Sequence, residues 1–182
     1  MKKLVLLMFL IFFSITIHSQ HTKRFSDLTK VLKVADSTII NKKYKNGNLK
    51  ESAKIFEYDF GEYTYTFYSG KRQFFLKKGE LFIEQLLDNY GNILMYKQFN
   101  KKGRIRREEI TSKIDSKAAS IENLLNSDKN LIIETYEKEY ADSVDGELIL
   151  YMEGARVNGK KIGVWITYNG CGEITKKKNH SK

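Results

Sequence analysis

The chain has 182 residues, a formal charge of +10, one cysteine, three histidines and no proline. One cysteine excludes an intrachain disulfide, and so few histidines argue against Ser/His or Cys/His catalysis and against histidine-built zinc sites, which need imidazole held rigidly. The basic excess is mostly lysine, with only Arg24, Arg72, Arg104, Arg106, Arg107 and Arg156 as arginines; lysine is a hydrated point charge that suits solubility or anionic surfaces better than reading of nucleic acid.

Met1-Lys2-Lys3 is a short basic stretch, and Leu4 to Ile17 is apolar except for Ser14 and Thr16. As a helix that run would span about 21 Å, short of the roughly 30 Å hydrocarbon core. The pattern predicts a signal peptide over residues 1–19, cleaved before Gln20, with the mature protein periplasmic or secreted. An uncleaved interfacial helix is the alternative, but the charged face such a helix needs is missing. Removing Lys2 and Lys3 lowers the formal charge from +10 to +8. No later apolar run approaches membrane-spanning length, so no membrane span is expected.

Residues 20–37 form a lead-in. A short helix is predicted over Phe25 to Ala35, capped by Ser26, with Leu28, Val31, Leu32 and Ala35 on one face; an irregular segment is the alternative. Residues 38–174 read as a single β-meander domain. Thr38 to Lys43, the turn at Asn46-Gly47 and Asn48 to Phe56 predict a first hairpin. Tyr63 to Tyr68 alternates aromatic residues with threonine, the period of a strand. Ser69-Gly70 then predicts a turn into Arg72 to Leu76, and Lys77-Lys78-Gly79 a turn into Glu80 to Leu87. Further turns at Asn89 to Asn92 and Asn100 to Gly103 lead to strands at Ile93 to Phe99 and Arg104 to Thr111. Turn signals at this spacing mark an antiparallel meander. With no proline, where average usage predicts about nine, these turns rely on Gly, Asn and Asp, which supply positive φ.

The rhythm breaks over 113–127. Ile114, Ala118, Ile121 and Leu125 fall at helical spacing, with Leu124 beside them and Ser112 or Asp115 as cap, and an amphipathic helix is predicted there. Leu131 to Tyr140 and Glu147 to Met152 read as strands around Asp145-Gly146, and the hairpin containing Trp165 closes the domain. Residues 175–182 carry four lysines and read as a flexible basic tail. The fold class is therefore mainly β, an antiparallel meander of stacked hairpins with one or two short helices.

The stretch Gly159-Lys-Lys-Ile-Gly163-Val-Trp165-Ile-Thr-Tyr168, followed by Gly172-Glu-Ile174, resembles the MORN-repeat variant family, which includes antitoxin-like repeats. The likeness is clearest at 151–175, and Tyr44-x-Asn46-Gly47-x-Leu49-x-Glu51 matches the opening of the unit over 44–51. The copies between keep Asn/Gly turns but lose Gly-x-Trp. The resemblance implies stacked hairpins and an envelope or secreted binding or scaffold role. Gly159, Gly163, Trp165 and Tyr168 are read as structural, Gly163 admitting the close approach of another backbone or ring, and Trp165 burying surface whose loss costs about 3–5 kcal/mol.

No catalytic, metal or cofactor residues are assigned. The expected function is an exported, non-catalytic binding or scaffold protein. Two alternatives stand beside it: an envelope-located antitoxin or immunity-like protein that occludes a toxin, and a carboxylate-dependent hydrolase, for which the chain has acidic residues such as Glu108, Glu109, Glu134, Glu137 and Glu139. A protein partner or an anionic envelope surface is the expected partner, with no nucleic acid. Lys77, Lys78, Lys101, Lys102, Arg104 and Arg106 are the candidate anionic-partner surface, provided the turns align; the competing reading is lysine that keeps sheet edges soluble. Tyr63, Tyr65 and Phe67 are the candidate aromatic surface, with burial in the core as the commoner fate. Cys171, in a predicted turn, reads as inert or buried, or else as an intermolecular disulfide.

Overall fold

In a computed structural model of the protein, which describes residues 20–143 and 146–181, ten strands pair strictly in chain order. They are β1 (Val34–Lys43), β2 (Leu49–Phe60), β3 (Tyr63–Phe75), β4 (Leu81–Leu87), β5 (Ile93–Phe99), β6 (Ile105–Ser116), β7 (Leu131–Asp142), β8 (Leu148–Val157), β9 (Lys160–Tyr168) and β10 (Ile174–His180). All neighbouring strands are antiparallel, as the meander predicts. The leader-like residues 1–19 lie outside the described residues. No helix among the described residues is long and apolar enough to cross a membrane.

One turn geometry recurs. At Tyr44, Leu76, Asn100, Ser143 and Asn169 the backbone N–H donates to the carbonyl four residues on, and a glycine three residues on donates back. Those glycines, Gly47, Gly79, Gly103, Gly146 and Gly172, all have positive φ, the conformation that glycine adopts without steric cost. Asn100 and Asn169 reinforce the turn, each carboxamide oxygen accepting two backbone N–H groups. These five turns join odd strands to even strands, so they lie at one end of the sheet. The other end carries the Gly61-Glu62 turn, the Asp88–Asn92 turn, the β6–β7 connection and the Asn158-Gly159 turn, whose two residues have φ of 47° and 77°.

The second end also carries the helices. α1 (Lys23–Thr29) is capped by the Thr22 hydroxyl, not by Ser26, and ends at Thr29, well short of the predicted Ala35. Phe25, Thr29 and Leu32 are buried, whereas Val31 is half exposed. The predicted helix over 113–127 is corrected more strongly. β6 runs through Ile114 to Ser116, and only Ile121–Leu125 forms a helix, α2, capped by Ser120. A 3-10 turn at Asp128–Asn130 follows. Ile114, Ala118, Ile121 and Leu124 are all buried, so the apolar positions were legible but their single helix was not. Strand, loop and helix deliver them to the same core, which also holds Phe25, Leu32 and Tyr58. The Tyr58 hydroxyl donates to the Asn89 carbonyl at 2.8 Å, and burial pushes its pKa up to about 12.

The amino-terminal segment is tied down. Thr22 N–H donates to the Ile114 carbonyl, Ile114 N–H to the Gln20 carbonyl, and Gln20 Nε2 to the Thr111 carbonyl. His21 stacks on Phe25 and meets the buried Asp88 carboxylate at 2.8 Å. A histidine therefore packs against the edge of the core. The carboxy terminus also differs: 174–180 is a paired strand, not a frayed tail.

Two strands bulge alike. In β3, Gly70, Lys71 and Arg72 lie opposite Ala53 alone, because Ser69 pairs with Lys54 and Gln73 with Ser52. Ser69-Gly70 is thus a bulge inside one long strand rather than the predicted turn. In β9, Gly163, Val164 and Trp165 lie opposite Gly154 alone, between the pairs Ile162–Ala155 and Ile166–Glu153. The glycine opening each bulge has φ near +60°, at 66° and 60°.

The close-packing role expected of Gly163 belongs to Gly154. A methyl group on Gly163 meets nothing within 4 Å, but one on Gly154 would lie 2.5 Å from the Trp165 indole. Trp165 is 3% exposed and donates its Nε1 hydrogen to the Ala155 carbonyl at 3.0 Å. Gly154→Ala is therefore expected to lower stability by about 1–3 kcal/mol through overpacking, measured by chemical denaturation. In a Trp165→Leu background, where the ring is gone, the same change should cost close to nothing; an undiminished cost would show that the indole is not the obstacle.

Candidate functional site

Directly paired residues share a sheet face, so register assembles a line across the middle of the sheet. Arg72, Gln85, Tyr96, Glu109, Glu137 and Gly154 follow one another from β3 to β8. The adjacent line on that face is Phe74, Ile83, Gln98, Arg107, Glu139 and Met152. Together they concentrate charge where a sheet would ordinarily carry apolar residues.

Glu137 is the centre of this cluster and is completely buried. Arg156 grips both its oxygens, Nε at 3.1 Å and Nη2 at 2.8 Å, and Arg107 Nη2 also pairs with it. Arg107 also meets Glu109 at 3.0 Å. Burial alone would raise the Glu137 carboxyl, but the Arg156 hydrogen bonds and the Arg107 charge outweigh it and hold it below the usual range. Glu139 goes the other way: burial, and then a hydrogen bond to Glu137, favour its protonated form. The Arg156 guanidinium and the Lys161 ammonium both lie against the Trp165 ring, at 5.0 and 3.8 Å from its centroid. A smaller version of the arrangement surrounds Glu51. There Lys42 and Arg72 bind the carboxylate, and Arg72 stacks on Tyr68 at 3.6 Å. Burial would raise the Glu51 carboxyl, but these partners leave it lowered.

Beside the Glu137 cluster, between the helices and the second end of the sheet, lies a cavity of about 550 Å³. Phe25, Leu32, Phe67, Ile93, Leu124, Leu131 and Ile133 make its apolar wall. Tyr96, Glu109, Thr111, Thr135 and Asn158 give it a polar side, and Asp128 is at its margin from the 3-10 turn. Asn158 is already occupied, accepting from Ile133 N–H and donating to the Leu131 carbonyl. Thr135 is 8% exposed and its hydroxyl has no hydrogen-bond partner among the described residues. A buried polar group without a partner costs about 1–3 kcal/mol, so a ligand that supplies one would recover that loss.

The residues singled out in the sequence are divided by the fold. Lys77, Lys78, Lys101 and Lys102 lie in two of the five recurrent turns and so share one end of the sheet. Asn46 and Asn48 link the first turn to the second by donating to the Lys77 carbonyl. Lys160 and Lys161, on the Asn158-Gly159 hairpin, lie at the opposite end and do not extend this row. Arg104 and Arg106 are both paired with Asp142, at 2.7 and 3.1 Å. Tyr63 is 68% exposed and its ring is 6.4 Å from that of Tyr65, but Phe67 packs against the core and lines the cavity. The aromatic surface is therefore limited to Tyr63 and Tyr65. Tyr168 donates to Glu153 at 2.5 Å, Gly159 completes the β8–β9 turn, and Cys171 is exposed in the last turn. No cluster of metal-ligating side chains occurs among the described residues. Sequence reasoning named Glu137 only as one of several carboxylates, without its burial or partners, and missed the roles of Arg107 and Arg156 and the cavity. Glu137 and Glu139 alternate with Tyr136 and Lys138 like any amphipathic strand, and nothing local marks which face is covered.

Comparison with protein-family models, curated proteins and solved structures found no match. Two tests follow from the charged groups. Glu137→Gln leaves two guanidiniums short of a buried counter-charge and is expected to cost about 3–5 kcal/mol in denaturant unfolding. The depressed Glu137 pKa gives stability that is present above the ordinary carboxyl value of 4.5 and lost as pH falls through the folded value. The raised Glu139 pKa has the opposite sign, giving stability below 4.5 that is lost as pH rises through its folded value. Glu139→Gln keeps a donor toward Glu137 without needing a proton, so it should be more stable than wild type at pH 7, the difference vanishing in acid. At the other end, replacing Lys77, Lys78, Lys101 and Lys102 by Gln should weaken retention on anionic beads at low salt. Replacing Arg104 and Arg106 should weaken it less, because Asp142 already neutralises part of their charge.

Proposed function

We propose that the chain is an exported, non-catalytic binding protein built from MORN-like hairpin repeats, and that it takes its ligand in the cavity beside Glu109 and Thr135. The observation that carries this reading is the cavity itself, about 550 Å³ with an apolar wall and, on its polar side, a buried Thr135 hydroxyl that has no hydrogen-bond partner among the described residues. Its volume falls in the range of roughly 300–1,000 Å³ common to small-molecule sites. Its lining residues include no histidine, cysteine or lysine; carboxylates are its only ionisable acids or bases besides tyrosine. Of these, Glu109 is paired with Arg107, which suits a fixed binding wall better than a proton-transfer group.

The repeat reading is supported by the five equivalent turns and by the pair of three-against-one bulges, one of which contains the Gly-x-Trp of the MORN-like unit. Export is supported by the basic and apolar pattern of residues 1–19. Fractionation of cells that produce the full chain should place the mature protein outside the cytoplasm; a product retained there with its leader intact would refute export.

Binding is tested with N-phenyl-1-naphthylamine, a neutral dye that brightens in apolar surroundings. The mature protein should enhance its fluorescence saturably. Ile133→Trp, which fills the cavity from its apolar wall, should abolish the enhancement while leaving the thermal transition cooperative. Equal dye binding by the folded Ile133→Trp variant would overturn the assignment of this cavity as the binding site.

A further inference from the structure

The geometry points to an organic cation with an apolar body as the ligand class, a conclusion that rests on the cavity reading above. The chain has 32 Lys and Arg residues against 22 Asp and Glu, so a cavity lined without regard to charge should be basic. This one is not. Among its 19 lining residues the charged side chains are Glu109 and Asp128, and none is Lys, Arg or His. Four aromatic rings, Phe25, Phe67, Tyr90 and Tyr96, line it as well. Carboxylates attract a cation over the first several ångströms, and aromatic faces attract it through their quadrupole while also covering its alkyl groups. An ammonium with methyl or larger substituents satisfies both, since it carries charge but little hydration.

The nearby guanidiniums do not reverse this. Arg107 approaches Glu109, but it also serves the fully buried Glu137. It stands beside Tyr96 and Glu109 on the same sheet face and is not itself a lining residue. Arg156 donates to the carbonyl of the lining Gly159, but it likewise binds Glu137 and does not line the cavity. An anionic head group would enter a site with two carboxylates and no lining cation. The Thr135 and Thr111 hydroxyls offer further oxygen acceptors on the same side; the Thr111 hydroxyl already donates its hydrogen to the Ile93 carbonyl, so toward a ligand it can act only as an acceptor.

The test is displacement of N-phenyl-1-naphthylamine by three probes of one shape. These are benzyltrimethylammonium, its uncharged carbon isostere neopentylbenzene, and the anion phenylmethanesulfonate. The cation should displace the dye at a concentration at least about fivefold lower than the neutral isostere, the scale of a cation–π contact, and the anion should be weakest. Asp128→Asn and Glu109→Gln should each narrow the gap between cation and isostere, read as the ratio of their displacing concentrations within each variant. Rising salt should narrow it too. A neutral or anionic probe that competes as well as the cation would overturn this inference but leave the cavity reading standing. Absence of dye binding, or binding undisturbed by Ile133→Trp, would overturn both.

Discussion

The buried carboxylate of Glu137 is the constraint around which the sheet is organised. A charge with no exposed surface is tolerable only when paired and fully hydrogen-bonded. Its partners come from β6 and β8, the strands on either side of its own, so the pairing is satisfied only in one register of three strands. A slip of one residue in either pairing would reverse the side chains of the moving strand and leave Glu137 without a guanidinium. Trp165 depends on the same arrangement. It lies over Gly154, which pairs directly with Glu137, and its ring is covered by the Arg156 that binds Glu137. Charge and aromatic packing thus specify the register together.

The two ends of the meander have different physical character. At one, the recurrent glycine turns carry lysines into solvent and need little besides their own backbone hydrogen bonds. At the other, the connections are unequal in length, and the longest folds back with α1 to cover the sheet. That inequality makes the cavity: helices α1 and α2 cover the core around Ile114 and Tyr58 but leave space where Tyr96, Glu109 and Thr135 face them. The cavity therefore arises where the connections between strands depart from regularity.

Strands and turns were legible in the sequence because their signals are local. Asn and Gly at the hairpin tips and alternating apolar residues define a strand without reference to distant contacts. β5 has the predicted bounds. The errors occurred where local patterns have two physical solutions. Ser69-Gly70 can form a turn or a bulge, and the choice depends on whether β2 continues opposite it. Ile114, Ala118, Ile121 and Leu125 have helical spacing, yet an edge pairing with residues 20–22 holds Ile114 in a strand. The lysines at 176–178 look like a solvated tail until β9 offers them a ladder. Gly154 was invisible as a packing residue because its partner, Trp165, is across a hairpin and inside a bulge.

The bridge between His21 and Ile114 has a consequence for how the chain folds. Every strand pairs with its sequence neighbour, which gives low contact order and allows hairpins to form locally in succession. The contacts of Gln20, His21 and Thr22 with Thr111, Ile114 and Asp115 are the exception, since they close a loop of about ninety residues. During synthesis from the amino terminus, residues 20–22 must wait for β6 to arrive before they can dock. That segment, made long before β6, is thus among the last to become ordered, and the helical cover over the cavity is completed by that late step.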